Sequence, residues 1–262
     1  MKVTFLGVGS AFSRKHARSS ILVESGDITF LIDCACSGLL ALEKYGLSVK
    51  DITHLCVTHF HADHISGLEE IAITTRLVYH QPRPILLATD SFQDRLWQCS
   101  LRGGLEYIEE TPGVEKPCTL SDFFALEPVT AQQWFTIKGN PGLRLYLHPT
   151  DHVKGMESYG VEVEEHPGGR EKRFFLSGDT KFDEDLIRHG VQACAQVFHD
   201  CQLFDAGEKN SLGVHASYPQ LLALPAEIRR HLWLYHYGDT PLPDANGDGF
   251  AGFVTGMQSF LF

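Results

Sequence analysis

The chain has 262 residues, 43% of them hydrophobic and 21% charged, with a formal charge of −11 at pH 7. This composition excludes disordered and fibrous classes. The acidic balance argues against long nucleic acid as a partner, because phosphate binding draws on Lys and Arg to release counterions.

In chain order, Val3 to Leu6, Ile21 to Val23 and Ile28 to Ile32 are short, apolar and separated by Gly/Ser turns, which predicts a strand meander. Leu39, Leu40 and Leu42, followed by Gly46, predict a helix over Ser37 to Tyr45. The apolar run Ile52 to Val57 is a strand, and from Ile65 the spacing of Leu68, Ile71 and Ala72 is helical, so the segment between them is a strand-to-helix junction. Ile85 to Ala88 reads as a further strand and Phe92 to Leu101 as a helix stopped by Gly103-Gly104. Leu105 to Pro128, with Pro112, Gly113 and Pro117 marking loops, carries no clear period and is assigned to substrate-shaping or dimer-forming elements. A second set of strands follows at Trp134 to Ile137, Leu143 to His148, Ser158 to Val163 and Arg173 to Ser177, the last two joined by a hairpin at Pro167-Gly168-Gly169. Helices at Asp183 to His189 and Pro219 to Leu224 and a strand at Leu232 to Tyr235 complete the pattern. Two strand-rich halves with interspersed helices predict two sheets packed face to face, helices outside, in one domain over residues 1–262.

The organising stretch is the junction itself, Thr58-His59-Phe60-His61-Ala62-Asp63-His64. His59 and His61 alternate along an extended segment, which aims two rings the same way, while Asp63 and His64 open the following turn. One metal ion does not comfortably take all four, so the spacing argues for two cations in a shared pocket. Further donors fall where other apolar strands end: His152 as a third imidazole for the first ion, Asp179 behind the glycine of Ser177-Gly178-Asp179 as a carboxylate suited to bridging, and His236 for the second ion. Seven cysteines without a CxxC pair fit reduced thiols, and Cys34 and Cys36 are weak ligand candidates because the histidines supply enough donors.

With His59, His61, Asp63, His64, His152, Asp179 and His236 in this order, the chain resembles the metallo-β-lactamase superfamily over nearly its whole length. The resemblance implies an α/β fold, an αββα sandwich. It places the first zinc on His59, His61 and His152, the second on Asp63, His64 and His236, and Asp179 between them. Two zinc ions per chain are expected, with manganese as the alternative. Phe5-Leu6-Gly7-Val8-Gly9-Ser10-Ala11 and Ile32-Asp33-Cys34 are similar to the ribonuclease Z and phosphodiesterase branch, which implies phosphoester chemistry. Val214-His215-Ala216-Ser217 is similar to that branch's extra histidine motif, with His199-Asp200 where ribonuclease Z has a histidine-glutamate pair. His215 is then the candidate general acid and Asp200 its orienting carboxylate, with Asp63 counted among the catalytic groups as well as the ligands.

The long arm with which ribonuclease Z holds tRNA is missing, since His152 to Asp179 spans only a hairpin, and Tyr237-Gly238-Asp239 replaces that family's usual ending. The better match is to armless cyclic-nucleotide phosphodiesterases of the anti-Pycsar type, whose tail Gly249-Phe250-Ala251-Gly252-Phe253 resembles. The resemblance implies a homodimer acting on a small nucleotide substrate. A ribonuclease Z-like tRNA 3′-processing enzyme is the alternative. No run approaches the length of a membrane span and the opening lacks a signal peptide, so a cytoplasmic protein without membrane association is expected.

Three weaker features remain. Asp244-Ala245-Asn246-Gly247-Asp248-Gly249 imitates half of a calcium loop but has Thr255 where a bidentate Glu is required, and reads as a turn. Arg14-Lys15-His16-Ala17-Arg18 reads equally as a phosphate-attracting cluster or as solvated charge, and Phe12, Trp97 and Tyr107 are candidates for stacking on a base, although aromatic residues, 11% of the chain, are more often core.

Overall fold

A computed structural model describes residues 1–109, 116–166, 170–203 and 213–262. The first half supplies β1 (Lys2–Gly7), β2 (Ser20–Ser25), β3 (Ile28–Ile32), β4 (His54–Cys56), β5 (Ile85–Ala88) and β6 (Ala125–Pro128). The second half supplies β7 (Phe135–Thr136), β8 (Leu143–Pro149), β9 (Tyr159–Glu165), β10 (Arg173–Leu176), β11 (Gln196–Asp200), β12 (Leu232–Tyr235) and β13 (Gly252–Phe253), and β14 (Ser259–Leu261) crosses back to lie against β1. The two seven-stranded sheets repeat one design. The first runs β14-β1-β2-β3-β4-β5-β6 and the second β13-β12-β11-β10-β9-β8-β7. In each, three antiparallel pairings are followed by three parallel ones, from β3 onward in the first sheet and from β10 onward in the second.

The residue pattern explains the layering. In β8, Leu143, Leu145 and Leu147 are buried while Arg144, Tyr146 and His148 lie on the opposite face, the period of two expected of a strand. Between the sheets, Phe5 of β1 meets Phe198 of β11 at 4.8 Å and Tyr235 of β12 at 5.6 Å between ring centroids. Outside the second sheet, Ile187 and Val191 from the helix Glu184–Ala193 pack with Leu221, Ile228, Phe175 and Val197 in a separate apolar cluster. The helices Cys36–Tyr45 and Leu68–Ile73 bury Leu39, Leu42, Leu68 and Ile71 in the main core with the first sheet. This is the αββα sandwich that the resemblance implied. None of the described helices is long and apolar enough to cross a membrane.

Several elements differ from expectation. The strand expected over Ile52 to Val57 is paired only at His54–Cys56, and the helix expected from Ile65 already begins at Ala62. Gly103-Gly104 does not stop the helix, which runs from Asp90 through a wide turn at Trp97–Leu101 and on to Leu105. The missing side chain has a packing reason, since a Cβ on Gly104 would stand 2.4 Å from the Glu69 carboxylate. Within Leu105 to Pro128 lie the short helix Leu120–Phe123 and β6, a parallel edge strand too polar and short to read as one. The hairpin at Pro167-Gly168-Gly169 and the loop markers Pro112 and Gly113 lie outside the described residues. Asp244 to Gly249 is a turn, with Asp244 accepting from the Gly247 amide at 3.0 Å and Asp248 from the Tyr218 hydroxyl at 2.7 Å. Trp97 is buried against Phe123, which removes it as a base-stacking candidate.

Candidate metal centre

Parallel strands place their C-terminal ends on one edge, and loops leaving that edge can converge. Here β4 empties into His59–His64, β10 into Ser177-Gly178-Asp179, β12 into His236 and β8 into Asp151-His152. The chain turns sharply at two of these exits. Gly178 has φ +60, and a Cβ there would stand 2.4 Å from the Tyr159 carbonyl oxygen, so only glycine lets Asp179 approach. His236 holds φ +60 without being glycine, a strained conformation of the kind that clusters at functional sites.

The donors form two groups sharing one carboxylate. His59, His61, His152 and Asp179 make the first, and Asp63, His64, Asp179 and His236 the second, with ligand atoms within 4.8 Å of one another in each. In the first, His61 Nδ1 lies 3.0 Å from His59 Nε2 and 3.1 Å from His152 Nε2, and His59 Nε2 is 3.6 Å from Asp179 Oδ2. In the second, His64 Nε2 is 3.2 Å from Asp63 Oδ2 and 3.3 Å from Asp179 Oδ2, and His236 Nε2 is 3.2 Å from Asp179 Oδ2. Ligands about 2.0–2.2 Å from a tetrahedral zinc stand roughly 3.3–3.6 Å apart. The donor separations of 3.0–3.6 Å lie in this range or up to about 0.3 Å inside it, so each group is close to the size that holds one ion.

Two orphaned atoms support the same fit. His64 Nε2 and Asp179 Oδ1 are buried with no hydrogen-bond partner, and leaving such a group unpaired costs about 1–3 kcal/mol, more when it is charged. Cations in the donor pocket would give these atoms the partners they lack.

The other nitrogen of each buried donor ring is held. His152 Nδ1 meets the Val214 carbonyl at 2.8 Å, which can only accept, so the proton is on Nδ1 and Nε2 faces the site. His59 Nδ1 meets Thr58 Oγ1 at 3.0 Å, His236 Nδ1 meets Ser19 Oγ at 2.9 Å, and His64 Nδ1 meets Asp33 Oδ2 at 2.6 Å. Asp33 also accepts from the Thr58 amide at 2.8 Å and its hydroxyl at 2.9 Å, so one carboxylate helps to orient a donor ring in each group. Sequence reasoning missed Asp33, Thr58 and Ser19 as working parts. The one available signal was an acid at the end of an apolar strand beside the metal-loop strand.

Burial holds the His59 and His236 imidazoles below their ordinary range, which keeps them neutral as ligands must be. Burial opposes ionisation of Asp63 as well, yet His64 and His236 bring it down to about 2. For His64 burial works against the charged form, but Asp179 and Asp33 raise it well above the usual imidazole value, favouring positive charge where a metal would supply it.

Asp200 and His215 stand beside this pocket. His215 Nδ1 is 2.9 Å from Asp200 Oδ2 and 3.9 Å from Asp179 Oδ2. Asp200 is fully buried, with His199 Nδ1 3.2 Å from its other oxygen. Against the effect of burial, the Asp200 hydrogen bond and the two carboxylate charges lift His215 to about 9. The cap of the helix Tyr218–Leu222 is Ser217, so His215 does not serve as one.

Two cavities meet here. One of about 270 Å³ is lined by His61, Asp63, Asp179, His215 and His236. The other, about 310 Å³, is lined by Ser10, Ser13, Gln202, Leu203, Gly238 and Thr240 among others. Ala11, Phe12, His215 and His236 line both, and Phe12 is 83% exposed at the shared wall. The basic stretch Arg14 to Arg18 lines a separate shallow cavity with Lys44, its Arg14 and Lys15 amides donating to Asp239. Cys34 and Cys36 enter neither donor group, and all seven cysteines are free thiols.

A family model described as Anti-Pycsar protein Apyc1 matches residues 1–260. The chain is 36% identical over 245 residues to an Anti-Pycsar protein Apyc1 from Paenibacillus harenae, covering 92% of this chain and 91% of that one. It is 39% identical over 245 residues to one from Bacillus phage 010DV004, covering 91% and 90%. Among solved structures it resembles the metallo-beta-lactamase fold protein YhfI from Bacillus subtilis, with TM-score 0.74, 16% identity and 99% of each chain covered. That last likeness is one of fold.

Proposed function

From the premise that the chain belongs to the Anti-Pycsar protein Apyc1 family, we propose that it is a dinuclear-zinc phosphodiesterase hydrolysing 3′,5′-cyclic nucleotides to 5′-monophosphates. The observation that carries the reading is the His215–Asp200 pair standing against a seven-residue donor pocket that opens into a nucleoside-sized cavity. A metal site alone serves many hydrolyses. A positioned imidazole matters where the leaving group is a poor one, such as a ribose alkoxide, and contributes on the order of 10² to 10⁴-fold.

When bound, two divalent ions supply a water-derived nucleophile at neutral pH and draw charge from the non-bridging phosphate oxygens. His59, His61 and His152 would hold one ion and Asp63, His64 and His236 the other, with the Asp179 carboxylate, which belongs to both donor groups, available to either. His215 gives its proton to the departing 3′ oxygen from Nε2, because Nδ1 is engaged by Asp200. Asp200 fixes the ring and favours its protonated form. The nucleoside extends into the 310 Å³ cavity, within the ~300–1,000 Å³ common for small-ligand sites, with Phe12 against the base and Ser10, Ser13 and Thr240 near its polar edges.

A ribonuclease Z-like activity shares the metal chemistry, but the net charge of −11 and the short His152 to Asp179 connection give tRNA little to hold. The test is product analysis after mixing zinc-loaded protein with purine and pyrimidine 3′,5′-cyclic mononucleotides and, separately, with a 3′-extended tRNA precursor. Conversion to 5′-monophosphates with intact RNA is the expected outcome. Trimmed RNA with untouched cyclic nucleotides would overturn it.

A further inference from the structure

A second cluster of metal-type donors lies on the helix-covered face of the second sheet, apart from the strand-end pocket. His148 is on the outward row of β8, Glu162 points the same way from β9, and His189 comes from the helix Glu184–Ala193 that covers this face. His148 Nε2 is 2.8 Å and His189 Nε2 3.2 Å from the same Glu162 oxygen, Oε2, and the two rings are 4.8 Å apart. All three donor atoms lie within 4.8 Å of one another.

From this convergence, we propose a third metal site, a His-Glu-His site for one first-row divalent ion of the zinc, nickel or copper class. Imidazole and carboxylate donors at these spacings suit those ions rather than calcium or magnesium, which prefer oxygen alone. The carboxylate is already set for the task. Arg173 Nη1 takes its other oxygen, Oε1, at 3.2 Å, and Arg173 Nη2 is tied to Glu164 at 2.7 Å. Outer partners of this kind orient a ligating carboxylate, and here they turn Oε2 towards both rings. Glu162 is buried and His148 nearly so, whereas the His189 side chain is 49% exposed. The ion would enter past His189 and keep its remaining positions for water. Bound there, it ties β8 and β9 to the helix that precedes β11, the strand bearing Asp200. Without metal the same atoms form a hydrogen-bonded cluster, and the two arrangements differ in a measurable way.

The test starts from protein whose strand-end site is already zinc-loaded and dialysed free of excess ion. Zinc is then titrated by calorimetry into the wild type, His189→Ala and, as a control on the same exposed helix, Arg188→Ala. One additional equivalent in wild type and Arg188→Ala, weakened more than about tenfold in His189→Ala, is expected for loss of a direct ligand. Anomalous diffraction at the zinc edge should put the added ion among His148, Glu162 and His189. No saturable event, an unchanged event in His189→Ala, or an added ion found elsewhere would overturn the proposal.

Discussion

Asp33→Asn isolates the role of the carboxylate beneath both donor groups. The substitution keeps size and one acceptor, yet Asp33 serves three donors: the Thr58 amide on Oδ1, and the Thr58 hydroxyl and His64 Nδ1 on Oδ2. Whichever way the amide is turned, its NH₂ faces a donor. One buried N–H is then left unpaired, at about 1–3 kcal/mol of folding stability. Metal affinity should fall separately, because His64 loses the charge that fixes its tautomer, and Thr58 loses the partner that aims its hydroxyl at His59. Removing a hydrogen-bond partner that holds a metal-binding side chain costs about 10–100-fold in metal affinity. Chelator competition with elemental analysis would measure it. Asp33→Asn should release both ions at lower chelator concentration, whereas Thr58→Val, which leaves the Asp33–His64 contact intact, should chiefly weaken the ion on His59, His61 and His152. Two ions held with wild-type affinity in Asp33→Asn would refute the reasoning.

Three further outcomes follow from the same geometry. His215→Ala should keep its metal and lose about 10² to 10⁴-fold in turnover of cyclic nucleotides while largely sparing an activated aryl phosphodiester; equal loss on both substrates would remove His215 as the proton donor. Asp179→Ala should lose metal together with activity, because its carboxylate belongs to both groups, and elemental analysis showing two ions retained would contradict that. Phe12→Ala should raise KM for cyclic nucleotides about fivefold, the effect of roughly 1 kcal/mol of base stacking at an exposed position. An unchanged KM would place the base elsewhere.

The convergent donors were legible because each follows a strand carrying apolar residues, and such a strand ending in a histidine or an aspartate is a local pattern. His59 to His64, His152, Asp179 and His236 all announce themselves in this way, as does the alternation of Leu143, Leu145 and Leu147 that sets β8 against the core. What stayed hidden depends on partners distant in sequence. Asp33 becomes a working residue only because β3 pairs in parallel with β4, bringing its end beside Thr58 and His64. Ser19 matters because of His236, 217 positions later. The strand β11 was unread because His199 and Asp200 look polar, although both are buried between parallel neighbours. Gly103-Gly104 misled for the opposite reason: a strong local stop signal was overridden by close packing on Glu69.

The crossing of β14 to β1 bears on how the protein is made. Lys2 pairs with Leu261 and Thr4 with Ser259, so β1 waits through more than 250 intervening residues for its β14 partner before its outer edge is covered. Until then β1 offers free N–H and C=O groups to any extended chain nearby, the hazard of an open edge during folding. The pairing also closes a loop spanning nearly the whole sequence, and contacts of such separation form slowly. Until the first sheet is completed by β14, a nascent chain of this protein therefore keeps one strand edge open to misassociation.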